Sequence, residues 1–305
     1  MDTVHRTCVL LIYTSIVLAT CAFGAETLSR QKRVIGGTEI SKGHSPWLVS
    51  LHGKIVTERL FGIIPIRHRH VYCGGSLLND RYVLTAAHCF DSGRDVDEWE
   101  VRLATVDLKV ALADRFMDFL GKTLGKKDWR IWEIDVSKII IHPGYNKNDL
   151  WYQDIAIVKL EDPVPSGPRF EHIKRIQLPD GFDFSFPAKG SNCHMAGWGC
   201  TAAGGGISRY AMSVQLPILD DTECGYYYNL RTMFGRLCAG FKSSSNSGGI
   251  CPGDSGGPLV CQNYLGEWTQ VGIASFTSKA RPEKFPAVFT RVSDYVTWIK
   301  SYTEY

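Results

Sequence analysis

The sequence predicts an all-β protein, and the distribution of turn and helix signals supports that prediction. Short runs of β-branched and aromatic residues alternate with turn residues in a chain that contains 30 Gly and 13 Pro. This spacing is typical of β-sandwiches and barrels. Helical periodicity is clear only at the end of the chain, where Asp294 is placed to cap a helix. One face of that helix would carry Tyr295, Trp298, Ile299 and Tyr302.

Ten segments of four to seven residues have the composition of strands and are bounded by turn residues. They are Trp47–Leu51, Gly75–Leu78, Tyr82–Ala86, Glu100–Leu103, Ser137–Ile141, Ile155–Leu160, Ser213–Leu219, Pro258–Cys261, Gln270–Ser275 and Ala287–Arg291. We find no tandem repeat and no low-complexity linker between them.

Two longer stretches, 52–70 and 104–135, have the length and composition of surface loops that carry recognition. The first combines an apolar tip from Leu60 to Ile66 with a basic run: Arg67, His68, Arg69 and His70. The second holds basic residues among aromatic ones: Lys122, Lys126, Lys127 and Arg130. Two interpretations stay open, namely a basic exosite for acidic protein or glycan surfaces, or simply long solvated loops.

The composition is that of a loop-rich globular protein, with 44% hydrophobic and 21% charged residues. A net charge of +3 is too small to indicate nucleic-acid binding. The sequence contains no Asn-x-Ser/Thr site, so we expect no N-glycosylation.

The first residues indicate a targeting segment. His5 and Arg6 precede an apolar run from Cys8 to Ala19, and small residues follow it. We expect residues 1–24 to be a signal peptide, with an uncleaved anchor as the alternative. No later segment has the length and hydrophobicity of a membrane span, so the mature protein is expected to be soluble, secreted and extracellular.

Ten cysteines fit an exported protein, because disulfides persist outside the cytosol. Cys8 and Cys21 fall in the signal segment. The other eight form an even set that predicts four disulfides: Cys73, Cys89, Cys193, Cys200, Cys224, Cys238, Cys251 and Cys261. No Cys-x-x-Cys pair occurs, so we expect no structural zinc, and the sequence indicates no other metal or cofactor.

Residues 25–33 form a short polar stretch that ends in Arg30-Gln31-Lys32-Arg33, directly before the apolar Val34-Ile35-Gly36-Gly37. Most dibasic stretches are solvated surface, but one at such a boundary is an accessible cleavage site. We expect cleavage after Arg33, which would separate residues 25–33 as a propeptide.

The clearest chemistry lies in Gly253-Asp254-Ser255-Gly256-Gly257-Pro258. A serine hydroxyl is a poor nucleophile unless a base accepts its proton and nearby donors stabilise an oxyanion. Glycines on both sides allow a tight turn that exposes Ser255. They also let a substrate carbonyl approach the N–H groups of Gly253 and Ser255.

The candidate base is His88, which follows the apolar strand predicted at Tyr82–Ala86. A lone histidine is more often structural or a metal ligand, but no second ligand stands nearby at metal spacing. Asp154 leads the apolar segment Ile155–Leu160, so its carboxylate is expected to be buried and to need a partner. Orienting and stabilising the His88 imidazolium would satisfy that need.

Seven segments resemble the motifs of the chymotrypsin family of serine proteases, and they occur in the family's order. They are Val34-Ile35-Gly36-Gly37, Cys73-Gly74-Gly75-Ser76-Leu77, Thr85–Cys89, Asp154–Leu160, Gly197-Trp198-Gly199, Gly253–Pro258 and Phe289-Thr290-Arg291-Val292. The resemblance covers residues 34–305, taken as the peptidase domain. It implies two six-stranded antiparallel β-barrels with the active site between them, a C-terminal helix, and a triad of His88, Asp154 and Ser255.

The resemblance also implies how the protein is activated. Cleavage after Arg33 would free the amine of Val34, which would pair with Asp254 and order the oxyanion hole. Arg30-Gln31-Lys32-Arg33 resembles a furin-type site, so the activating partner is expected to be a convertase, with a trypsin-like protease as the alternative. The uncut precursor is expected to be poorly active.

The residues that match the family's specificity pocket carry no charge. Gly249 stands at the pocket base, Ile250 beside it, and Thr277 and Ala287 at the walls, where side chains would narrow the slot as in elastases. The resemblance thus implies cleavage after small or medium apolar residues. Glu283, in the loop between the walls, is the alternative source of a preference for Lys or Arg.

The resemblance further implies that Ser275, which also belongs to the specificity pocket, supports Asp154 by hydrogen bonding. It also implies three disulfides: Cys73–Cys89, Cys193–Cys261 and Cys224–Cys238. Cys251 lacks its usual family partner, because residues 277–286 contain no cysteine, and Cys200 is the other leftover. We expect a Cys200–Cys251 bridge, with two free thiols, or one free and one intermolecular, as alternatives.

Together these expectations describe a secreted, monomeric serine endopeptidase made as a zymogen. Its partners would be protein and peptide substrates, the activating protease and protein protease inhibitors. A binding protein that keeps the fold without catalysis is the alternative from another functional class.

Overall fold

The computed structural model describes residues 37–103, 105–108, 132–181, 183, 185–201, 204–230, 232–241, 249–278, 281–282, 285–303 and 305. The chain divides into two units, 1–31 and 32–305, and all described residues lie in the second. The predicted signal peptide and propeptide, including Arg33, therefore lie outside the described residues, as does Val34.

Strands dominate the described residues. They are β1 Thr38–Glu39, β2 Leu48–Leu60, β3 Ile64–Leu77, β4 Tyr82–Thr85, β5 Trp99–Leu103, β6 Trp132–Ile141, β7 Ala156–Leu160, β8 Asn192–Gly197, β9 Met212–Pro217, β10 Arg236–Ala239, β11 Pro258–Gln262, β12 Trp268–Phe276 and β13 Ala287–Arg291. The helices are α1 Asp221–Tyr228 and α2 Val296–Thr303. The predicted all-β fold with a C-terminal helix is confirmed.

The first six-stranded barrel is closed and antiparallel, in the order β2-β3-β4-β7-β6-β5. Its strands alternate so that one set of side chains fills the barrel. Leu51, Val83, Val101 and Ile157 in that interior are fully buried. Burial of these β-branched and leucine side chains stabilises the barrel and fixes its register.

The second sheet is also antiparallel and has the order β1-β9-β8-β11-β12-β13-β10. Strands β8–β13 are the expected six, and the two-residue β1 is added at the edge of β9. Where a second barrel would close, a single bridge joins Ile218, after β9, to Ala239 of β10. Leu216, Leu259 and Phe289 form the buried centre of this half.

The prediction of a loop over residues 52–70 was wrong, because β2 and β3 continue through it as one long hairpin. Paired residues run from His52 and Tyr72 to Leu60 and Ile64. The ladder satisfies the inner backbone groups, but every residue from Thr57 to Arg67 is exposed, so this part of the sequence lacks the apolar alternation of a buried strand. Residues 104 and 109–131 of the second predicted loop lie outside the described residues.

Sequence patterns also missed β8, β10 and α1. The short helix α1 begins after Asp220, whose side chain accepts a hydrogen bond from the Thr222 N–H (2.8 Å). At the C-terminus, Asp294 does not cap α2. It lies inside a 3-10 turn, and its carboxylate accepts a hydrogen bond from the Gly235 N–H (2.7 Å).

Candidate active site

Two paired strands of the first barrel carry the predicted base and its carboxylate. Strands β4 and β7 are antiparallel, with Thr85 opposite Ala156. A 3-10 turn at Ala87–Phe90 follows β4 and presents His88, while Asp154 stands two residues before β7. The register therefore brings His88 and Asp154 to the same end of the barrel.

Asp154 and His88 are joined twice. The Asp154 Oδ2 lies 2.6 Å from His88 Nδ1, and Asp154 Oδ1 accepts a hydrogen bond from the His88 backbone N–H at 2.9 Å. The carboxylate of Asp154 is fully buried. This arrangement fixes the imidazole with Nδ1 toward the carboxylate and leaves Nε2 available for proton transfer.

The second sheet completes the surroundings of Asp154. The Ser275 hydroxyl donates to Asp154 Oδ2 at 2.5 Å, and the Thr290 hydroxyl donates to the Asp154 backbone carbonyl at 2.7 Å. Ser275 lies in β12 and Thr290 in β13, so both halves of the molecule hold this one carboxylate. A buried charge is tolerated when its lone pairs are used in this way.

Two opposing effects act on the pKa of His88. Burial lowers it, but the charge and hydrogen bond of Asp154 outweigh burial, and the pKa is raised above its ordinary value of 6.5. The imidazolium formed during proton transfer is thus stabilised.

The predicted nucleophile lies on a turn held between the two halves. The Ser255 carbonyl accepts a hydrogen bond from the Gly74 N–H of β3 (2.7 Å), and the Gly256 N–H donates to the Ala274 carbonyl of β12 (2.8 Å). Gly256 has φ +76°, and a side chain there would collide with Thr85 and the Gly74 carbonyl. No hydrogen bond joins Ser255 Oγ to His88 among the described residues, as is common before substrate binds.

The backbone donors of the same turn fall into two groups. The N–H groups of Asp254, Gly256 and Gly257 donate to backbone carbonyls. Within the described residues, those of Gly253 and Ser255 have no acceptor. Gly253 has φ +103°, and a side chain there would meet Ile207 and the backbone of Gly199. The turn therefore offers two unused donors beside the Ser255 hydroxyl.

Asp254 is the second buried carboxylate of the site. Its Oδ1 accepts from the Gly199 N–H (2.8 Å) and its Oδ2 from the Cys251 N–H (3.0 Å). No ion pair to Asp254 occurs among the described residues. Burial raises its pKa to about 7, although the two hydrogen bonds oppose that rise. Its predicted partner, Val34, lies outside the described residues.

The predicted pocket residues gather in the second half. Gly249 and Ile250 are buried, and Ile250 shares an apolar cluster with Ala287. Phe276 pairs with Val288 across β12 and β13, so Thr277 and Ala287 stand at the next step of that register. These described groups carry no charge. Glu283, the alternative source of basic specificity, lies outside the described residues.

An aromatic wall beside His88 was not predicted from the sequence. The Trp151 ring lies 6.3 Å from the His88 ring and 5.6 Å from Phe276, and Phe276 lies 5.3 Å from Tyr228, all measured between ring centroids. Only the positions of Trp151 and Phe276 could have suggested this, since they stand three residues before Asp154 and one after Ser275.

The segment that carries Trp151 has an unusual backbone. Leu150, Trp151 and Gln153 have φ of 45°, 49° and 54°, the left-handed region that non-glycine residues rarely adopt. The buried Arg236 donates to the carbonyls of Asp149 (2.9 Å) and Leu150 (3.3 Å). These bonds hold the strained segment against the second half of the molecule.

Four disulfides occur among the described residues, and they join the pairs Cys73–Cys89, Cys193–Cys261, Cys200–Cys251 and Cys224–Cys238. The first ties β3 to the turn that carries His88. The third joins Cys200, three residues beyond the end of β8, to Cys251, which follows Ile250. Both therefore fix backbone next to the candidate catalytic groups.

Two further features bear on the candidate site. No cluster of three or more His, Cys, Asp or Glu side chains suited to a metal ion occurs among the described residues. In the same part of the chain, no helix has the length and apolar character needed to cross a membrane.

Comparison with known proteins gives two findings. The family model described as Trypsin matches residues 34–299. Over 269 residues, 88% of this chain, the sequence is 32% identical to Transmembrane protease serine 9 of Rattus norvegicus. The match covers 21% of that protein, so the chain spans about a fifth of the relative's length.

Proposed function

The chain belongs to the trypsin family of serine proteases, and on this premise we propose that it is a serine endopeptidase that works through an acyl-enzyme. One observation carries the proposal: the buried Asp154 carboxylate is held by His88 and Ser275 within 2.5–2.9 Å. A structural carboxylate needs only hydrogen bonds, whereas this one is aimed at an imidazole whose other nitrogen remains usable.

The geometry supports the following roles. The Ser255 hydroxyl attacks the substrate carbonyl while His88 Nε2 accepts its proton. Asp154 holds the imidazole in the right tautomer and stabilises the imidazolium. The N–H groups of Gly253 and Ser255 donate to the oxyanion. His88 then gives the proton to the leaving amine, and water hydrolyses the acyl-enzyme by the same steps.

Labelling with a fluorophosphonate probe tests this proposal. The cleaved protein should form a covalent adduct at Ser255, and Ser255→Ala should abolish it. The matched control is Ser137→Ala, at a half-buried serine of β6. A folded, cleaved protein that neither reacts nor hydrolyses peptides would instead be the catalytically silent binding protein.

Secretion and activation are part of the same proposal. Four disulfides support an extracellular or lumenal compartment, and the sequence of residues 1–24 supports export as a signal peptide. Cleavage after Arg33, by a convertase or a trypsin-like protease, would supply the Val34 amine to Asp254. Arg33→Gln should then give uncut, poorly active protein in the medium. Full activity of this variant would refute activation by cleavage.

We further propose cleavage after small or medium apolar residues. The uncharged Gly249, the buried Ile250 and the side chains of Thr277 and Ala287 support a narrow apolar slot. Profiling on an unbiased peptide mixture tests this preference, and Ala287→Gly should widen it toward larger apolar residues. A profile dominated by Arg or Lys would favour Glu283 as the determinant. Protein substrates and protein inhibitors would bind a monomeric enzyme.

A further inference from the structure

The hairpin of β2 and β3 projects well beyond the first barrel. Ile55 is the last buried residue on the outgoing strand, and every residue from Thr57 to Arg67 is exposed. Phe61 comes six positions after Ile55, so at about 3.3 Å per residue the tip lies about 20 Å beyond the barrel core. We call residues 54–70 the arm.

The tip of the arm is apolar. Five large hydrophobic side chains are exposed there: Leu60, Phe61, Ile63, Ile64 and Ile66. Phe61 is 86% exposed and Ile63 75% exposed. An isolated exposed leucine or isoleucine is ordinary on a protein surface, but five within seven residues form a contiguous patch, which marks an interaction site.

The backbone conformation of the tip also indicates an interaction site. Phe61 and Gly62 have φ of +52° and +73°, and the Ile63 N–H donates to the Leu60 carbonyl at 3.1 Å. A two-residue turn with both φ values positive favours Asn-Gly. A bulky aromatic residue in the left-handed region is strained. The chain thus holds Phe61, the most exposed of the five apolar side chains, in an unfavourable conformation where the ring gains little contact within the chain.

Four cationic side chains lie along the arm, two beside the tip and two nearer the base. Lys54, Arg59, Arg67 and Arg69 belong to the arm, against the single carboxylate of Glu58. Arg67 pairs with Glu58 at 3.0 Å, and Arg59 donates to the Ile63 carbonyl at 3.2 Å. Lys54 and Arg69 are exposed nearer the base. The arm therefore has an excess of positive charge behind an apolar end.

We propose that the arm binds the surface of anionic lipid bilayers. The apolar tip enters the boundary between headgroups and acyl chains, and the cationic side chains bind lipid phosphates and carboxylates. A hydrated glycan or an acidic protein surface would satisfy the charges but would offer the five apolar side chains no apolar phase. Proteins that lie on membranes combine apolar and cationic groups in this way.

The ladder of the arm limits how deep it enters. Its inner backbone groups pair between β2 and β3, whereas from Thr57 to Arg67 the outer edges of the two strands pair with no other strand that the structure describes, so their backbone groups need water. Only the turn and its apolar side chains can therefore pass the headgroups. This makes the arm a peripheral anchor that needs no membrane span.

Sedimentation with vesicles tests the proposal. The whole chain carries Ser255→Ala throughout, so that self-cleavage is prevented and the result is independent of the proposed peptidase activity. It should bind phosphatidylcholine vesicles that contain about 30% phosphatidylserine at least about tenfold more tightly than pure phosphatidylcholine. Raising the salt concentration should weaken that binding.

Two arm variants and a matched control separate the contributions. The double variant Phe61→Ser/Ile63→Ser should lose at least about tenfold in vesicle binding. The double variant Lys54→Gln/Arg69→Gln should lose most of the preference for phosphatidylserine. The control, Tyr264→Ser/Leu265→Ser, alters another exposed apolar turn, between β11 and β12, where Tyr264 is 92% exposed. It should bind like the parent chain.

Thermal unfolding verifies that each variant is folded, and a blue shift of Phe61→Trp emission with vesicles reports insertion directly. The proposal is overturned if the parent chain binds neither vesicle, or if the serine variant of the tip binds as strongly as the parent. Retention on heparin that depends on Lys54 and Arg69 but not on Phe61, without vesicle binding, would assign the arm to glycans instead.

Discussion

Asp154 and Asp254 are both fully buried carboxylates at the candidate active site, yet their surroundings differ. Asp154 is contacted by a titratable ring, a backbone N–H and a serine hydroxyl. Asp254 receives only two backbone N–H groups, and no cation pairs with it among the described residues. The described residues His88 and Ser275 therefore supply the hydrogen-bond partners of the Asp154 carboxylate. The Asp254 carboxylate has a pKa raised to about 7, which is the mark of a buried acid without a counter-charge.

The same fold thus contains one buried carboxylate whose partners all lie among the described residues, and beside it a second buried carboxylate that has no counter-charge among them. The partners of Asp154 come from strands that the core already fixes. Asp254 lies on a turn whose remaining partner is proposed to be a new chain end. The described fold therefore orients His88 by itself, whereas under the proposed activation the order of the oxyanion turn would depend on cleavage after Arg33.

Replacing Asp154 should have the largest effect. Asp154→Asn keeps the shape but removes the charge and the tautomer control, so kcat should fall by about four orders of magnitude. The pKa of His88 should also fall, because the charge of Asp154, the main effect that opposes burial, would be gone. The acid limb of the kcat/KM profile should therefore move to lower pH. The exposed Asp162→Asn is the control, and an unchanged kcat in Asp154→Asn would refute the assigned role.

Replacing Asp254 should have the next largest effect, and only after cleavage. If the Val34 amine pairs with Asp254, Asp254→Asn leaves a buried cation without its partner, at about 3–5 kcal/mol. Peptidase activity should fall by about 10²–10⁴, since each 1.36 kcal/mol is about tenfold. The uncut Arg33→Gln chain should show no comparable loss. Equal losses in both forms would remove the contrast between the two carboxylates.

The stability of the uncut chain should depend on pH through Asp254. Its folded pKa of about 7 lies above the ordinary 3.8, so the folded state keeps a proton that the unfolded state has lost. Stability from this group is therefore present at low pH and is lost as pH rises from about 4 to about 7, on the order of 4 kcal/mol.

Denaturant unfolding of Arg33→Gln at several pH values measures this dependence. The control is the double variant Arg33→Gln/Asp254→Asn, whose unfolding free energy should decline less between those pH values. The same slope in both chains would show that Asp254 already has a counter-charge before cleavage.

Removing Ser275 should have the smallest of these effects. Ser275→Ala deletes one of the hydrogen bonds to Asp154, and a bond to a charged group contributes about 1.5–3 kcal/mol. We expect kcat to fall by about tenfold to a hundredfold, with KM nearly unchanged. Ser275→Thr keeps the hydroxyl and should restore most of the rate. If alanine and threonine behave alike, the hydroxyl does not support Asp154.

Sequence patterns predicted most strands, because the buried strands consist either of alternating apolar and polar residues or of continuous apolar residues, and turn residues bound them. Strand β13, Ala287–Arg291, was predicted with its observed bounds. Strand β8, Asn192–Gly197, was missed because Cys193, His194 and Met195 give no β signal without knowledge of their neighbours. Helix α1 was missed because its three tyrosines and glycine do not form an apolar face.

The residues of the candidate site also fall into those that the sequence predicted and those that it did not. Local motifs singled out His88, Asp154 and Ser255, since each stands in a short segment with a chemical reason for its composition. The aromatic wall of Trp151 and Phe276 could not be predicted from spacing, because the two rings come from chain positions 125 residues apart. Their contact depends on how the two halves pack.

The sequence by itself determined the all-β class, the order of the catalytic motifs and the even set of cysteines, because these depend on local composition and spacing. The tertiary structure alone decided that residues 54–70 extend as an arm and that Asp254 lacks a cation among its described neighbours. Both depend on what packs around a segment, and packing is a relation between residues distant in the chain.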